Sequence, residues 1–196
     1  MAKQFPNLSP ALRDFIERQQ MFFTATAAAT GRINLSPKGL DGLRVLGPNA
    51  VVYLDRTGSG NETAALLRAD KRMTIMFCAF EGAPMILRLY GEGRILKRGS
   101  PEYAAILADA FKGEEPVGAR HMVRLDFDLA QTSCGYGVPL YDYKEERVSL
   151  TRWAEAQGET GLDAYRREKN MRSLDGLPTG LLDEASLLDE ENVSAQ

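Results

Sequence analysis

The segment Tyr53 to Thr63 reads Y-L-D-R-T-G-S-G-N-E-T. It follows the apolar, β-branched run Ala50 to Leu54 and leads into a helical pattern, Ala64 to Asp70. A strand, a loop of glycines with hydroxyl and amide residues, and then a helix start can hold a phosphate. The first N–H groups of a helix lack intrahelical partners, and glycine lets an anion come close to the backbone. The same letters also describe a turn followed by an N-cap, with Ser59 or Asn61 as the capping residue. Taken alone, the capping reading is the commoner one.

Other residues able to do chemistry are few and scattered. His121 is the single histidine and lies in R-H-M-V-R-L-D, a strand-like run. A zinc site built on histidines is therefore not expected, and a Ser–His–Asp triad could be built only on His121. A lone histidine on a strand reads as a structural or surface residue. Cys78 and Cys134 are far apart in sequence and near no other metal-ligand types, which suits two free thiols in a reducing compartment. Ser133 to Pro139, S-C-G-Y-G-V-P, is a tight loop that either presents Cys134 or Tyr136 or is a packed turn with Gly135 and Gly137 at positive φ. Arg88 stands mid-strand between Leu87 and Leu89, so its face is solvated, paired or lining a cleft.

The charge distribution narrows the function classes. All 24 lysines and arginines precede Ser173, whereas Asp175, Asp183, Glu184, Asp189, Glu190 and Glu191 follow it. The body is thus only weakly basic, too weakly for a nucleic-acid surface, and it has no basic–aromatic stripe. That balance leaves room for a local positive pocket for a phosphorylated small molecule. No apolar run approaches the roughly 18 residues of a membrane span, and the first residues, M-A-K-Q-F-P-N-L-S-P, lack the apolar core of a signal peptide. A cytoplasmic location is the default expectation.

The elements that must position these residues can be read along the chain. Ser9-Pro10 opens a helix through Gln20, with Leu12, Phe15 and Ile16 as its apolar stripe. Strands are expected at Met21–Ala27, Ile33–Ser36, Leu43–Leu46 and Ala50–Leu54, then at 72–80, a long one over 85–97, and two more near 121–127 and 129–133. Gly91 and Gly93 mark a sharp bend in the long strand. Ser100-Pro101 caps a helix over Glu102–Phe111. Leu150, Trp153 and Ala154 begin an amphipathic helix, and Arg166, Arg167, Lys169 and Arg172 near its end read mainly as a solvated face. Six or seven strands joined by tight turns, without regular helix alternation, predict a mainly β fold, a small antiparallel split β-barrel with short flanking helices. Its expected organisation is an N-terminal helix (1–20), the barrel (21–140), a helical extension (141–181) and an acidic tail (182–196).

This order of elements, with N-L-S-P-K-G (34–39), Y-L-D-R-T-G-S-G-N-E-T (53–63), R-M-T-I-M-F-C-A-F-E-G (72–82), L-R-L-Y-G-E-G-R (87–94) and S-C-G-Y-G-V-P (133–139), resembles the pyridoxamine 5′-phosphate oxidase-like FMN-binding split-barrel family. The resemblance implies a homodimer with FMN in two clefts at the subunit interface. Carried onto this chain, it places Asn34, Leu35, Ser36, Pro37 and Lys38 along the flavin, with Lys38 as the cation for the phosphate. It assigns Tyr53, Leu54, Ser59, Gly60, Asn61 and Thr63 to the phosphate and ribityl chain. The N–H groups of Gly60 and Asn61 with the hydroxyls of Ser59 and Thr63 would form the anion nest. It sets Cys134 and Tyr136 near the partner's flavin and makes Arg88 a further candidate.

Two departures separate the chain from the true oxidase. The oxidase has Ser-Arg-Lys at the helix start, where this chain has Asn61-Glu62-Thr63, so phosphate binding must lean on Lys38, Arg72 or Arg88, or be weaker. The oxidase's Trp-containing ending, whose Arg and His hold pyridoxal phosphate, has no counterpart here. The expectation is an FMN-dependent oxidoreductase of unassigned small-molecule substrate, other than pyridoxamine phosphate, with FMN doing the redox chemistry. Lacking a dinucleotide fingerprint, the chain would take NADH or NADPH only as a transient reductant. The competing class is a non-catalytic binder of flavin, deazaflavin or haem, for which His121 is the one histidine ligand on offer.

Overall fold

The computed structural model describes residues 2–182; the acidic tail falls outside them apart from its first residue. Among the described residues, eight strands and four helices are found in the order β1 (Lys3–Phe5), α1 (Pro10–Glu17), β2 (Phe22–Thr26), β3 (Asn34–Lys38), β4 (Leu43–Gly47), β5 (Ala50–Arg56), α2 (Glu62–Ala69), β6 (Arg72–Cys78), β7 (Ile86–Lys97), α3 (Pro101–Ala110), β8 (Ala119–Ser133) and α4 (Ser149–Lys169). All strands pair antiparallel in one sheet of order β3-β2-β6-β7-β8-β5-β4, with β1 added on β8. The expected mainly β split barrel with appended helices is what the chain forms.

The helix starts follow from their sequence. Ser9 and Ser100 each accept a hydrogen bond from the backbone N–H three residues on, and each is followed by proline at the first helical position. α1 is shorter than expected, ending at Glu17 with Arg18 as its cap. β5 is buried on both faces. Val51 and Tyr53 enter the main core with Phe22, Ile75, Phe77 and Leu125, while Val52 and Leu54 pack under α3 with Leu96, Tyr103 and Met122. This explains why its sequence is a continuous apolar run.

The structure departs from or adds to the sequence reading at three points. The two strands expected at 121–127 and 129–133 are one, β8, because the break is a bulge. Tyr90 pairs with Leu129 and Gly91 with Phe127, so Asp128 is the extra residue. Gly91 is where β8 crosses closely: a Cβ there would lie 2.9 Å from the Asp126 carbonyl carbon, and closer still to its oxygen and to the Phe127 Cα. β1, too short and polar to read as a strand, is stabilised by docking along Ala130–Thr132 of β8. α4 is kinked at Gly158, where φ is 62°. Among the described residues, no helix is long and apolar enough to cross a membrane.

Candidate functional site

β3 and β4 end the main path of the sheet, and the seam beside β3 is bridged by side chains to β5 and to the start of α2. Along β3, Asn34, Ser36 and Lys38 lie opposite Thr26, Thr24 and Phe22 of β2, so all three face inward. Ile33, Leu35 and Pro37 face out, with Ile33 and Leu35 widely exposed. Ser36 donates to Asn34 Oδ1 (3.0 Å), and Asn34 Nδ2 reaches the hydroxyls of Thr26 (3.2 Å) and Thr63 (3.1 Å). Lys38 Nζ closes the seam onto Asp55 Oδ1 of β5 at 2.6 Å and lies 5.6 Å from the centroid of the Tyr53 ring.

Asp55 is the hub of a buried charge cluster. Arg120 donates to its Oδ2 at 2.5 Å, and His121 Nε2 approaches the same oxygen to 3.4 Å without hydrogen-bond geometry. Consecutive strand residues normally point to opposite faces. Here Asp55 pairs with His121 and Arg56 with Ala119, so Arg120 is the extra residue of a second bulge, which turns it and His121 towards one carboxylate. Burial alone would push the Asp55 carboxyl up, but Lys38 and Arg120, with His121, overcome it and hold the group well below the usual carboxylate range. Burial lowers the His121 pKa, and Arg120 lowers it further against the upward pull of Asp55, so the ring stays neutral at pH 7. Two cations against one carboxylate leave the cluster with an excess positive charge. Asp55 and Arg120 are sealed in, at 6% and 3% side-chain exposure, while Lys38 is 26% exposed. Lys38 is thus the cation of this cluster that reaches solvent.

The loop between β5 and α2 is held from behind. Asn170 Nδ2 donates to the Gly58 carbonyl (3.0 Å), and Arg120 to the Gly60 carbonyl (3.0 Å) and to Asn170 Oδ1 (2.7 Å). Arg166 bonds the Thr57 hydroxyl (2.9 Å) and the Ala119 carbonyl (3.0 Å). In a planar trans peptide the N–H points opposite to the C=O. With the Gly58 and Gly60 carbonyls turned inward, the N–H groups of Ser59 and Asn61 face away from Arg120 and Asn170. Ser59 and Gly60 are exposed. Asn61 occupies the N-cap of α2 but makes no side-chain cap bond; its Nδ2 is directed to the Asn170 carbonyl (3.2 Å), and its buried Oδ1 has no partner. The helix start thus has no side-chain cap, with Asn61 itself buried and Ser59 and Gly60 exposed beside it. Glu62 bonds the Leu174 N–H (3.0 Å).

Two cavities, about 700 and 980 Å³, share Pro37, Lys38, Gly39, Leu40 and Leu150 as a common wall. Tyr53, Leu54, Asp55 and Gly58 line the smaller one, and the Phe80–Tyr141 ring pair and Tyr143 line the larger. Of the expected site residues, Lys38, Tyr53 and Leu54 line the smaller cavity, Asn34, Ser36 and Thr63 are joined by hydrogen bonds beside it, and Asn61 is turned to Asn170. Thr63 is turned to Asn34 rather than into the nest, and the carbonyl directions favour the N–H of Ser59 beside that of Asn61. Arg88, Cys134 and Tyr136 lie at the other end of β8 from this cluster. There Arg88 bonds Ser133 (3.2 Å), Cys134 and Tyr136 are exposed, and Gly135, at φ 68°, packs against Met85. Gly137 is not at positive φ, and Arg72 is engaged by Asp70 at the surface.

Sequence reading missed Asp55, Arg120, Arg166 and Asn170. The signal was present for two of them. Leu162, Arg166 and Asn170 recur at intervals of four and share a buried helix face, so Arg166 does not belong with the solvated charges around it.

The cluster makes a pH prediction. The folded pKa of His121 lies below its unfolded value of about 6.5, so its contribution is fully present above that pH and is lost as pH falls and the unfolded chain alone takes up the proton. Asp55 adds a second loss, starting below its unfolded value of about 3.9 and continuing through its depressed folded pKa. His121→Gln should flatten the fall in urea-unfolding stability between pH 6.5 and 4.5 and leave the steeper loss below it. An unchanged profile above pH 4.5 would refute the assignment.

Residues 8–134 match the family described as pyridoxamine 5′-phosphate oxidase. The chain is 40% identical over 190 residues to the pyridoxamine 5′-phosphate oxidase family protein ustO of Aspergillus flavus, covering 89% of this chain and 76% of that protein. Among solved structures, Group A Streptococcus HupZ is similar in fold, with a TM-score of 0.50 and 20% identity over 62% of this chain and 91% of its own. A candidate pyridoxamine 5′-phosphate oxidase of Lactobacillus delbrueckii gives 0.51 and 18%, covering 64% and 94%.

Proposed function

Because the chain belongs to the pyridoxamine 5′-phosphate oxidase family, we propose that it is a flavin-dependent oxidoreductase that holds FMN at the interface of a homodimer. The observation that carries this reading is the uncapped start of α2, whose preceding loop 58–61 is held by its Gly58 and Gly60 carbonyls so that the Ser59 and Asn61 N–H groups turn from Arg120 and Asn170, beside a cluster of excess positive charge. Neutral donors and a helix N-terminus are a suitable set for a phosphate. Ser59 and Asn61 would hold the phosphate by their N–H groups, and Asn34 and Ser36 would line the seam towards the ribityl chain. When bound, FMN supplies two-electron redox chemistry. Lys38 supplies a fixed positive charge on the wall shared by both cavities, and Asp55 orients it.

The exposed side chains of Ile33, Leu35, Tyr136, Leu140 and Tyr141 suit burial against a second copy of the chain. In such a dimer Arg88, Cys134 and Tyr136 would approach the partner's cofactor. The substrate is a small molecule, and NADH or NADPH would act as a transient reductant. A haem reading would draw on His121, whose side chain is buried against Asp55, so the geometry favours the flavin.

The absorption spectrum of the purified protein, before and after adding FMN and removing the excess, tests the proposal. Flavin bands retained through gel filtration at dimer size are expected. A colourless protein that does not retain FMN would overturn it. Lys38→Gln should weaken FMN binding about tenfold, the cost of one charged contact at ~1.4 kcal/mol, read by quenching of flavin fluorescence. An unchanged affinity would remove Lys38 from the site.

A further inference from the structure

We propose that Asn170, a residue beyond the family-matched span, is a positioning residue for the phosphate-binding loop, setting the chain's preference for a phosphorylated flavin over the bare one. The inference rests on the function proposed above. Asn170 is fully buried, and each of its polar groups is paired. Its Nδ2 holds the Gly58 carbonyl, and its Oδ1 accepts from Arg120, which in turn holds the Gly60 carbonyl. Its own carbonyl accepts from the side chains of Asn61 (3.2 Å) and Thr179 (2.8 Å), and its N–H bonds the Arg166 carbonyl (2.9 Å).

A glycine-flanked loop has many backbone states, and only some aim two amides the same way. Asn170 and Arg120 select one by gripping alternate carbonyls, the first and third of Gly58-Ser59-Gly60. Gripping the carbonyls fixes the opposed N–H groups of Ser59 and Asn61 through peptide planarity. A preorganised donor pair binds an anion more tightly than a mobile one, because the ordering cost is met during folding. The Ser-Arg-Lys of the true oxidase brings charge to the phosphate directly. This chain, with Asn61-Glu62-Thr63 there, relies on oriented backbone, and the C-terminal helix and the segment after it supply the orientation. Glu62 reinforces the arrangement: its carboxylate is drawn to the Leu174 N–H.

The test compares dissociation constants for FMN and riboflavin in the full-length protein, which differ only in the phosphate. Two variants are used: Asn170→Ala, and the isosteric Asn170→Asp, which keeps an acceptor for Arg120 but cannot donate to Gly58. The wild type should prefer FMN by about a hundredfold, and both variants should lose roughly tenfold or more of that preference while riboflavin affinity stays within about twofold. A purely structural role would weaken both ligands together and overturn the inference. So would an unchanged FMN preference in the variants. A wild type that binds FMN no better than riboflavin would overturn the phosphate cradle itself, a failure of the underlying functional reading distinct from the other two. If neither variant folds, the ¹⁵N spectrum of the wild type decides. The Ser59 and Asn61 amides and the Asn170 side-chain amide should shift with FMN and not with riboflavin. Signals that shift with neither, or equally with both, would refute the proposal.

Discussion

Arg120→Met is expected to cost about 3–5 kcal/mol of folding stability, the range for removing one partner of a buried ion pair. The substitution leaves the Asp55 carboxylate with Lys38 and the off-geometry His121 inside the barrel seam, and it strips the Gly60 carbonyl and Asn170 Oδ1 of their donor. At 2–4 °C per kcal/mol for a chain of this size, the melting temperature should fall by roughly 6–20 °C. Much of the loss comes from a buried carboxylate keeping one cation in place of two, since Asp55 is then paired with Lys38 alone. The double variant Asp55→Leu/Arg120→Met should therefore regain a large part of it, with Lys38 free to turn into the adjoining cavities. Urea unfolding of the two single variants and the double one gives the coupling energy directly. A loss below about 1 kcal/mol in Arg120→Met, the worth of a surface pair, would mean that the cluster is hydrated and not a buried network.

Gly91→Ala should be as damaging for a different reason. A Cβ at Gly91 would run into the main chain of Asp126 and Phe127, at the bulge where β7 and β8 change register. Backbone cannot swing away as a side chain can. The substitution must open the longest ladder of the barrel, and a cost above the roughly 1–3 kcal/mol usual for overpacking is expected. Gly93→Ala, two residues on, is the control. Its Cβ would meet the Met73 sulfur at 2.8 Å and Leu67 Cδ2 at 2.9 Å, both ends of flexible side chains. Its cost should fall within that ordinary range of about 1–3 kcal/mol. Equal denaturation midpoints for the two variants would show that the close crossing at Gly91 yields without strain.

These two sites show where reading the chain reaches its limit. The strand order along the sequence and the Ser-Pro helix starts at Ser9 and Ser100 were legible. Each depends on local periodicity or on the backbone preferences of one or two residues. The alternation that places Asn34, Ser36 and Lys38 on one face was not: the strand was expected to end at Ser36, and its extension to Lys38 comes from pairing with Phe22 of β2. The bulges were not. A single extra residue at Arg120 turns two consecutive side chains to one carboxylate, and another at Asp128 makes two apparent strands into one; both depend on what the partner strand does.

By itself, then, the sequence determined a mainly β barrel with helices at its ends and a glycine-rich loop at a helix start. Those features follow from residue types at short range. Tertiary structure alone decided that Lys38 pairs with Asp55, that Arg120 and His121 are buried beside it, and that Arg166 and Asn170 reach back over 109 and 112 residues to hold Thr57 and Gly58. The physical reason is that a charge or an amide has no fixed meaning in a sequence. Whether it is solvated or held in a network depends on which distant groups the packed chain brings within hydrogen-bonding distance.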